Sequence, residues 1–310
     1  MDFTLTLTWL IIGVLALLAG VMLLMLQTDR YQQKLFFRFW QAVGLPVQAD
    51  NVATAARHRI RTRTSAMFVG ELAGLFLVAL VLFANPSLAS TSFIWLFVVP
   101  AVLTIMTTLD VGVALHYSLF RRRADAPRLA RATATTMRDY VSPWRLRVAP
   151  ALVVTAVLLN VVGAVLSWVG VIDPAIFGRS STLPLLAAAV TVFVVGKAVE
   201  RRILQQTQPA ADELELAWDD AFRAETFRAL LLLETIVAWL AVGAAGIAIL
   251  EGIDAIAGTG LGTGVGMQLF TLGFFVLLAI FSLGAAQTHF RHRLWPNLVA
   301  PHPDSGLGSN

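Results

Sequence analysis

The hydrophobic positions of this chain fall into seven long runs, at residues 7–26, 65–83, 92–117, 150–171, 183–199, 229–250 and 265–286, and the segments between them are polar and rich in arginine. About 20 consecutive apolar residues cross a hydrocarbon core of about 30 Å, so each run predicts a membrane-spanning helix. The segment between the fifth and sixth runs has a different rhythm. From Asp212, the residues Leu214, Ala217, Trp218, Ala221 and Phe222 recur at i, i+3, i+4, i+7 and i+8, which is one face of an amphipathic helix over 212–228. Its opposite face is charged: Asp219 and Asp220 precede Arg223 by four and three residues, and Glu225 precedes Arg228 by three. No Gly or Pro interrupts the chain from Ala210 to Val242, so this helix is free to continue into the sixth run. The predicted fold class is an all-α membrane protein with seven transmembrane helices in one domain over 1–295, followed by a polar, disordered tail over 296–310.

Composition agrees with the pattern. Hydrophobic residues make up 57% of the 310 positions and charged residues 14%, with a mean hydropathy of +0.75, so the apolar excess has to face lipid. Charge placement then gives sidedness. Of the 23 basic residues, 22 lie in the segments 29–64, 118–149 and 197–228 or in the C-terminal tail, and only Arg179 lies elsewhere. Basic loops stay in the cytoplasm, which sets the N-terminus outside and the C-terminus inside. The first run is read as an uncleaved anchor rather than a signal peptide, because Asp2 and no basic residue precede it while Arg30, Lys34 and Arg38 follow. Spans two to seven form three in-out-in hairpins with arginines at each exit. They can be read as a parallel repeat, or as three hairpins that each stop at positive charge, and the second reading is the stronger. Trp9, Trp95, Trp168 and Trp295 fall near the expected interfaces. A formal net charge of +4 that follows topology in this way does not point to nucleic acid, and the absence of cysteine removes disulfide and thiol chemistry.

Three carboxylates lie inside apolar runs, Glu71, Asp110 and Glu234, each five to seven residues from the cytoplasmic end of its span. That is about 8–10 Å of helix, so they share one depth. Intramembrane acids mark pathways and proton relays, or else pair with a nearby interfacial arginine. Both readings stand here: a shared cation- or proton-responsive site, or three separate pairs. Glu71 also sits within Gly70-x3-Gly74, a small-residue motif that brings helices close. His116 and His289 stand at the inner ends of different spans, and an axial haem pair is the lesser reading beside ordinary interfacial histidines. Lys197 is placed to snorkel to the inner interface. The last span holds no lysine, which rules out a retinal Schiff base. The glycine run at 258–266 has no phosphate-loop register and reads as a flexible external loop. No catalytic, cofactor-binding or metal-binding motif stands out, so no cofactor is expected.

The amphipathic helix begins with Asp212, Glu213 and Glu215, which suit the positive end of a helix dipole. The same acids disfavour lying on an anionic leaflet. Its stripe of Leu214, Trp218 and Phe222, flanked by Asp219, Asp220 and Arg223, therefore packs either on the chain's own arginine-rich segments 29–64 and 118–149 or on a partner. Within residues 197–228, Glu200-Arg201-Arg202, Pro209 and the run from Ala217 to Arg223 resemble a cytoplasmic signature of uncharacterised multi-spanning membrane proteins of high-GC Gram-positive bacteria. Some of those accompany ABC transporter components. The resemblance implies a bacterial inner membrane and an ABC-type ATPase or other membrane subunit as partner, and it carries over no catalytic residue. The expected function is a non-enzymatic membrane subunit associated with transport. The alternatives are a self-sufficient secondary transporter that uses the buried carboxylates and, less favoured, a membrane-embedded enzyme.

Overall fold

The computed structural model describes residues 3–46, 50–85, 95–119, 135–172, 181–206, 208, 210, 212–258, 261–282 and 285–298. The loops expected near 86–91 and 173–180, the arginines at 121–123, Arg179, Pro209 and most of the expected disordered tail lie outside these residues. Among the described residues ten helices run in chain order: α1 (Phe3–Met25), α2 (Asp29–Val43), α3 (Asp50–Ala84), α4 (Trp95–Leu119), α5 (Met137–Tyr140), α6 (Arg145–Trp168), α7 (Thr182–Gln205), α8 (Glu213–Ala257), α9 (Leu261–Ser282) and α10 (Ala285–Leu294). Seven of them, α1, α3, α4, α6, α7, α8 and α9, are long and apolar enough to cross a membrane.

Helix α8 is the centre. Asp212 caps its start by accepting from the Glu215 amide at 2.7 Å, and Gly258 ends it in the left-handed conformation at φ 68°. With no breaker in its first thirty residues, the amphipathic segment and the sixth span form one helix of 45 residues. At 1.5 Å per residue it is about 68 Å long, roughly twice a hydrocarbon core. Helices α4, α6, α7 and α9 pack around it, α3 packs on α4, and α1 on α3. In consequence 67% of the apolar window of α8 is buried, against 33% or less for every other span, whose outer faces carry exposed Leu, Val and Phe.

Small residues set the closest approaches. A Cβ on Gly70 would stand 2.7 Å from Met106 Cα, and one on Gly74 would stand 3.0 Å from Val102 Cα, so the Gly70-x3-Gly74 face lies against the backbone of α4. Between α8 and α9, Phe270 fills the space over Gly243 and Trp239 that over Gly273, and the two rings stack at 5.7 Å.

A second core caps one end of the bundle. The starts of α3, α6 and α8 and the ends of α4, α7 and α9 meet there, joined by α2, α5 and α10 around the buried rings of Tyr140, Trp218, Phe227 and Phe290. Spans two to seven therefore alternate in direction. We call this end the polar layer.

Two sequence expectations are corrected. Residues 261–266 are not a loop: α9 begins at Leu261, because Asp254 of α8 accepts from the Gly262 amide at 3.2 Å and from the Thr263 amide and hydroxyl at 2.6 Å each. A cap supplied from outside overrides the poor helix propensity of glycine. The last span, expected to reach 286, ends as a helix at Ser282, and α10 starts at Ala285. Trp168 is 88% exposed at the end of α6, as an interfacial ring would be, whereas Trp295 turns into the polar layer.

Gly70→Ala should force α3 and α4 apart and lower stability by about 1–3 kcal/mol, the usual cost of overpacking. Gly13→Ala, with nothing within 4 Å of the added methyl, is the control and should leave the unfolding midpoint in detergent unchanged.

Candidate functional site

The three intramembrane acids do not gather into one site. Asp110 on α4 is buried and accepts from Arg63 Nε at 2.8 Å and Nη2 at 2.7 Å, a two-pronged pair between α3 and α4. Glu234 on α8 turns the other way and lies on Gly196 of α7, where any Cβ would collide with its carboxyl. It is 1% exposed, Lys197 Nζ stands 3.4 Å from its Oε2, and neither carboxylate oxygen accepts a hydrogen bond. The same ammonium donates to Glu200 at 2.5 Å, so one cation lies between two carboxylates. The Lys197 side chain, 30% exposed, lies between the two acids with Glu200 one turn nearer the polar layer. Glu71 is half-buried, about 100° round α3 from Gly70, with no ion pair or hydrogen bond seen among the described residues. Gly70 lies against Met106 while Asp110 meets Arg63, so Glu71 stands about one helix turn further from the polar layer than Asp110, and the directions of the three acids differ.

Asp110 and Arg63 open onto a cleft of about 440 Å³ between α3 and α4 on one side and α8 and α9 on the other. A second ion pair faces it, Arg228 Nη2 to Glu225 Oε1 at 2.8 Å. The other walls are mostly apolar, with Leu103, Met106, Leu232, Ile236 and Leu278 on the span side and Phe39 and Phe222 on the side of the polar layer. Leu232 and Ile236 each lie about 200° from Glu234 on α8, so that acid faces away from the cleft. Four charges in two pairs, set in an apolar slot, can orient a small ligand that carries both polar and apolar parts.

The stripe expected to dock is already docked. Trp218 is 2% and Phe222 6% exposed; Trp218 packs on Phe36 and Phe39 of α2 and donates from Nε1 to the Pro46 carbonyl at 3.1 Å. Phe222 stacks on Phe39 at 5.3 Å and lies under the Arg59 guanidinium, 4.4 Å from ring centre to carbon. Leu214 packs on the edge of the same core. Asp219 pairs with Arg59 at 3.6 Å and with Arg223 at 3.4 Å, and Arg223 donates to the Gln206 carbonyl at 3.0 Å. Of the two readings of this stripe, packing on the arginine-rich segments of the same chain is the one seen.

Asp220 ties that core together. Completely buried, it accepts from Tyr140 at 2.9 Å, from Trp295 Nε1 at 2.8 Å and from Gln208 Nε2 at 2.8 Å. Nothing local in the sequence announced Tyr140, Trp295 or Gln208, nor that Arg63 belongs to Asp110. Burial, together with the Asp220 carboxylate, pushes the Tyr140 phenol up from its ordinary 10 to about 12. Nearby, desolvation of Asp139 is outweighed by the Thr136 amide and hydroxyl and by Arg293, which hold its carboxyl below the usual range.

His289 Nε2 stands 3.0 Å from the Arg138 carbonyl, and the His116 ring packs edge-on to that of Tyr117. No cluster of three or more His, Asp or Glu able to hold a metal occurs among the described residues. Comparison with family models, curated proteins and solved structures finds no match.

Arg63→Met strands a buried carboxylate and should cost about 3–5 kcal/mol, whereas the double change with Asp110→Leu should recover most of it. Chemical unfolding of the three variants in detergent checks this; equal losses in the single and double variants would show that the pair is not coupled. The raised Tyr140 phenol contributes stability that is intact below about pH 10, where the unfolded chain begins to ionise, and is lost as pH climbs to about 12. Tyr140→Phe should flatten that alkaline decline, and a tyrosinate absorbance step near pH 12 should vanish with it.

Proposed function

We propose that the chain is a non-enzymatic membrane subunit of a transport system, set in a bacterial inner membrane with its N-terminus outside and the polar layer in the cytoplasm. The observation that carries this reading is the position of the cleft. It lies where the apolar bundle meets the polar layer, and α8, the helix common to both, forms one of its walls. A carrier that works alone takes its solute near the midplane, commonly at broken helices, and exposes it to each side in turn. Here α8 is unbroken and the cleft lies toward one end of the spans, beside the polar layer. That arrangement suits a subunit that senses or receives a ligand at one face and passes the change to a partner through the polar layer. The orientation is supported by the crowding of basic residues in the segments that build that layer.

The partner reading now has a different address. Leu214, Trp218 and Phe222 are consumed inside the chain, so an ABC-type ATPase or other membrane subunit would meet the outer surface of the polar layer. The secondary-transporter reading keeps one specific support, the buried Glu234 with Lys197 and Glu200 inside the spans.

Two measurements decide. Reporter fusions after Arg63, Gln208 and Trp295 should read cytoplasmic and those after Ser87, Gly178 and Gly260 external; an external Gln208 would end this orientation. Purification from native membranes in mild detergent should bring down an ATPase, and the chain alone in proteoliposomes should show no solute flux. Flux by the chain alone that Glu234→Gln abolishes would replace the subunit with the carrier.

A further inference from the structure

Most basic side chains described in the polar layer's interior have a carboxylate to meet: Arg59 and Arg223 share Asp219, Arg63 has Asp110, and Arg228 has Glu225. A further group of basic residues lies at the edge of this layer. A shallow groove between α2 and α3, about 490 Å³ in volume, is lined by Arg30, Gln33, Lys34, Phe36, Phe37 and Arg57. Three cations face it, and among the described residues no carboxylate does. Arg57 lies over the Phe36 ring at 5.6 Å, and its Nε is buried without a hydrogen-bond acceptor. Three neighbouring cations without a counter-charge repel one another, and an anion in the groove relieves that repulsion.

The groove also stands at the mouth of a span. Helix α1 ends at Met25 and α2 begins at Asp29, with the first turn of α2 tied back to α1 by Tyr31 donating to Met22 Sδ at 3.6 Å and Gln32 Nε2 donating to the Leu26 carbonyl at 2.9 Å. Phe37, 48% exposed, lies beside the cations. An exposed aromatic next to positive charge, at the level where a helix leaves the bilayer, matches the layer in which lipid phosphates meet the first apolar atoms.

We propose that this groove binds the phosphate of an anionic phospholipid headgroup, held by Arg30, Lys34 and Arg57 with Phe37 against the glycerol and upper acyl region. Arg57 supplies a planar fork that a phosphate oxygen pair can match, and Lys34 and Arg30 supply charge. Free phosphate shares the chemistry. The aromatic edge and the nearness of α1 favour the lipid. This site is independent of the cleft and of the transport reading.

The test uses the full chain purified in a neutral detergent, its thermal unfolding followed with added phosphatidylglycerol, phosphatidylcholine or inorganic phosphate. Phosphatidylglycerol should raise the midpoint by several degrees and phosphatidylcholine should not; the gain should shrink at high salt, as screening requires. The variant Arg30→Gln/Lys34→Gln, which alters only exposed side chains, should keep the lipid-free midpoint and lose most of the gain, and adding Arg57→Gln should remove the rest. An undiminished gain in the double variant, or an equal gain from phosphatidylcholine, overturns the proposal. A gain from inorganic phosphate as large as that from phosphatidylglycerol overturns the lipid assignment and makes the groove a free-phosphate site.

Discussion

A helix about twice as long as the hydrocarbon core is thick cannot be covered by lipid and neighbouring spans alone. That constraint, set by the unbroken 45 residues of α8, governs the rest of this protein. Half of α8 is sheathed by α4, α6, α7 and α9, and the other half needs a sheath of its own, which α2, α5 and α10 provide. The aromatic stripe of Trp218 and Phe222 is the apolar side of that second sheath. Asp220 is its polar seam, because its donors come from segments 80, 75 and 12 residues away in sequence. A buried carboxylate depends on its donors, so the segments that carry Tyr140, Trp295 and Gln208 are coupled through Asp220.

The cleft follows from the same geometry. Helix α9 packs on α8 and not along α3 or α4, so a slot is left beside α8 where the two layers meet. The charges that border it are neutralised in pairs across or along helices, Arg63 with Asp110 and Arg228 with Glu225. Pairing lets charged groups stand at that depth, since an isolated charge there would cost several kcal/mol. The same logic, left incomplete, marks Lys197 between Glu200 and Glu234, where one ammonium faces two carboxylates.

Much of this was legible in the chain. The seven apolar runs had to be helices because lipid offers the backbone no hydrogen bonds, and the absence of Gly and Pro between Ala210 and Val242 foretold that the amphipathic segment and the sixth span would fuse. That Glu71, Asp110 and Glu234 lie within the apolar helices was legible, but their direction was not. A residue's azimuth advances 100° per position, and which azimuth is inner depends on neighbours that periodicity does not name. Leu214, Trp218 and Phe222 were visible as a stripe in need of cover, while the identity of the cover, Phe36 and Phe39 from α2, rests on contacts across some 180 residues. The glycine run misled for a related reason: its weak propensity was local, and the carboxylate that overrides it belongs to the preceding helix.

That carboxylate has a bearing on biogenesis. The amides at the start of α9 find their acceptor in Asp254, seven residues before the start of α9 and on the last turn of α8. Until α8 is in place those amides have only water, and a segment with three glycines among its first six residues has little tendency to coil unaided. The two spans are thus suited to leave the insertion machinery as a hairpin, with the second helix nucleated on the first.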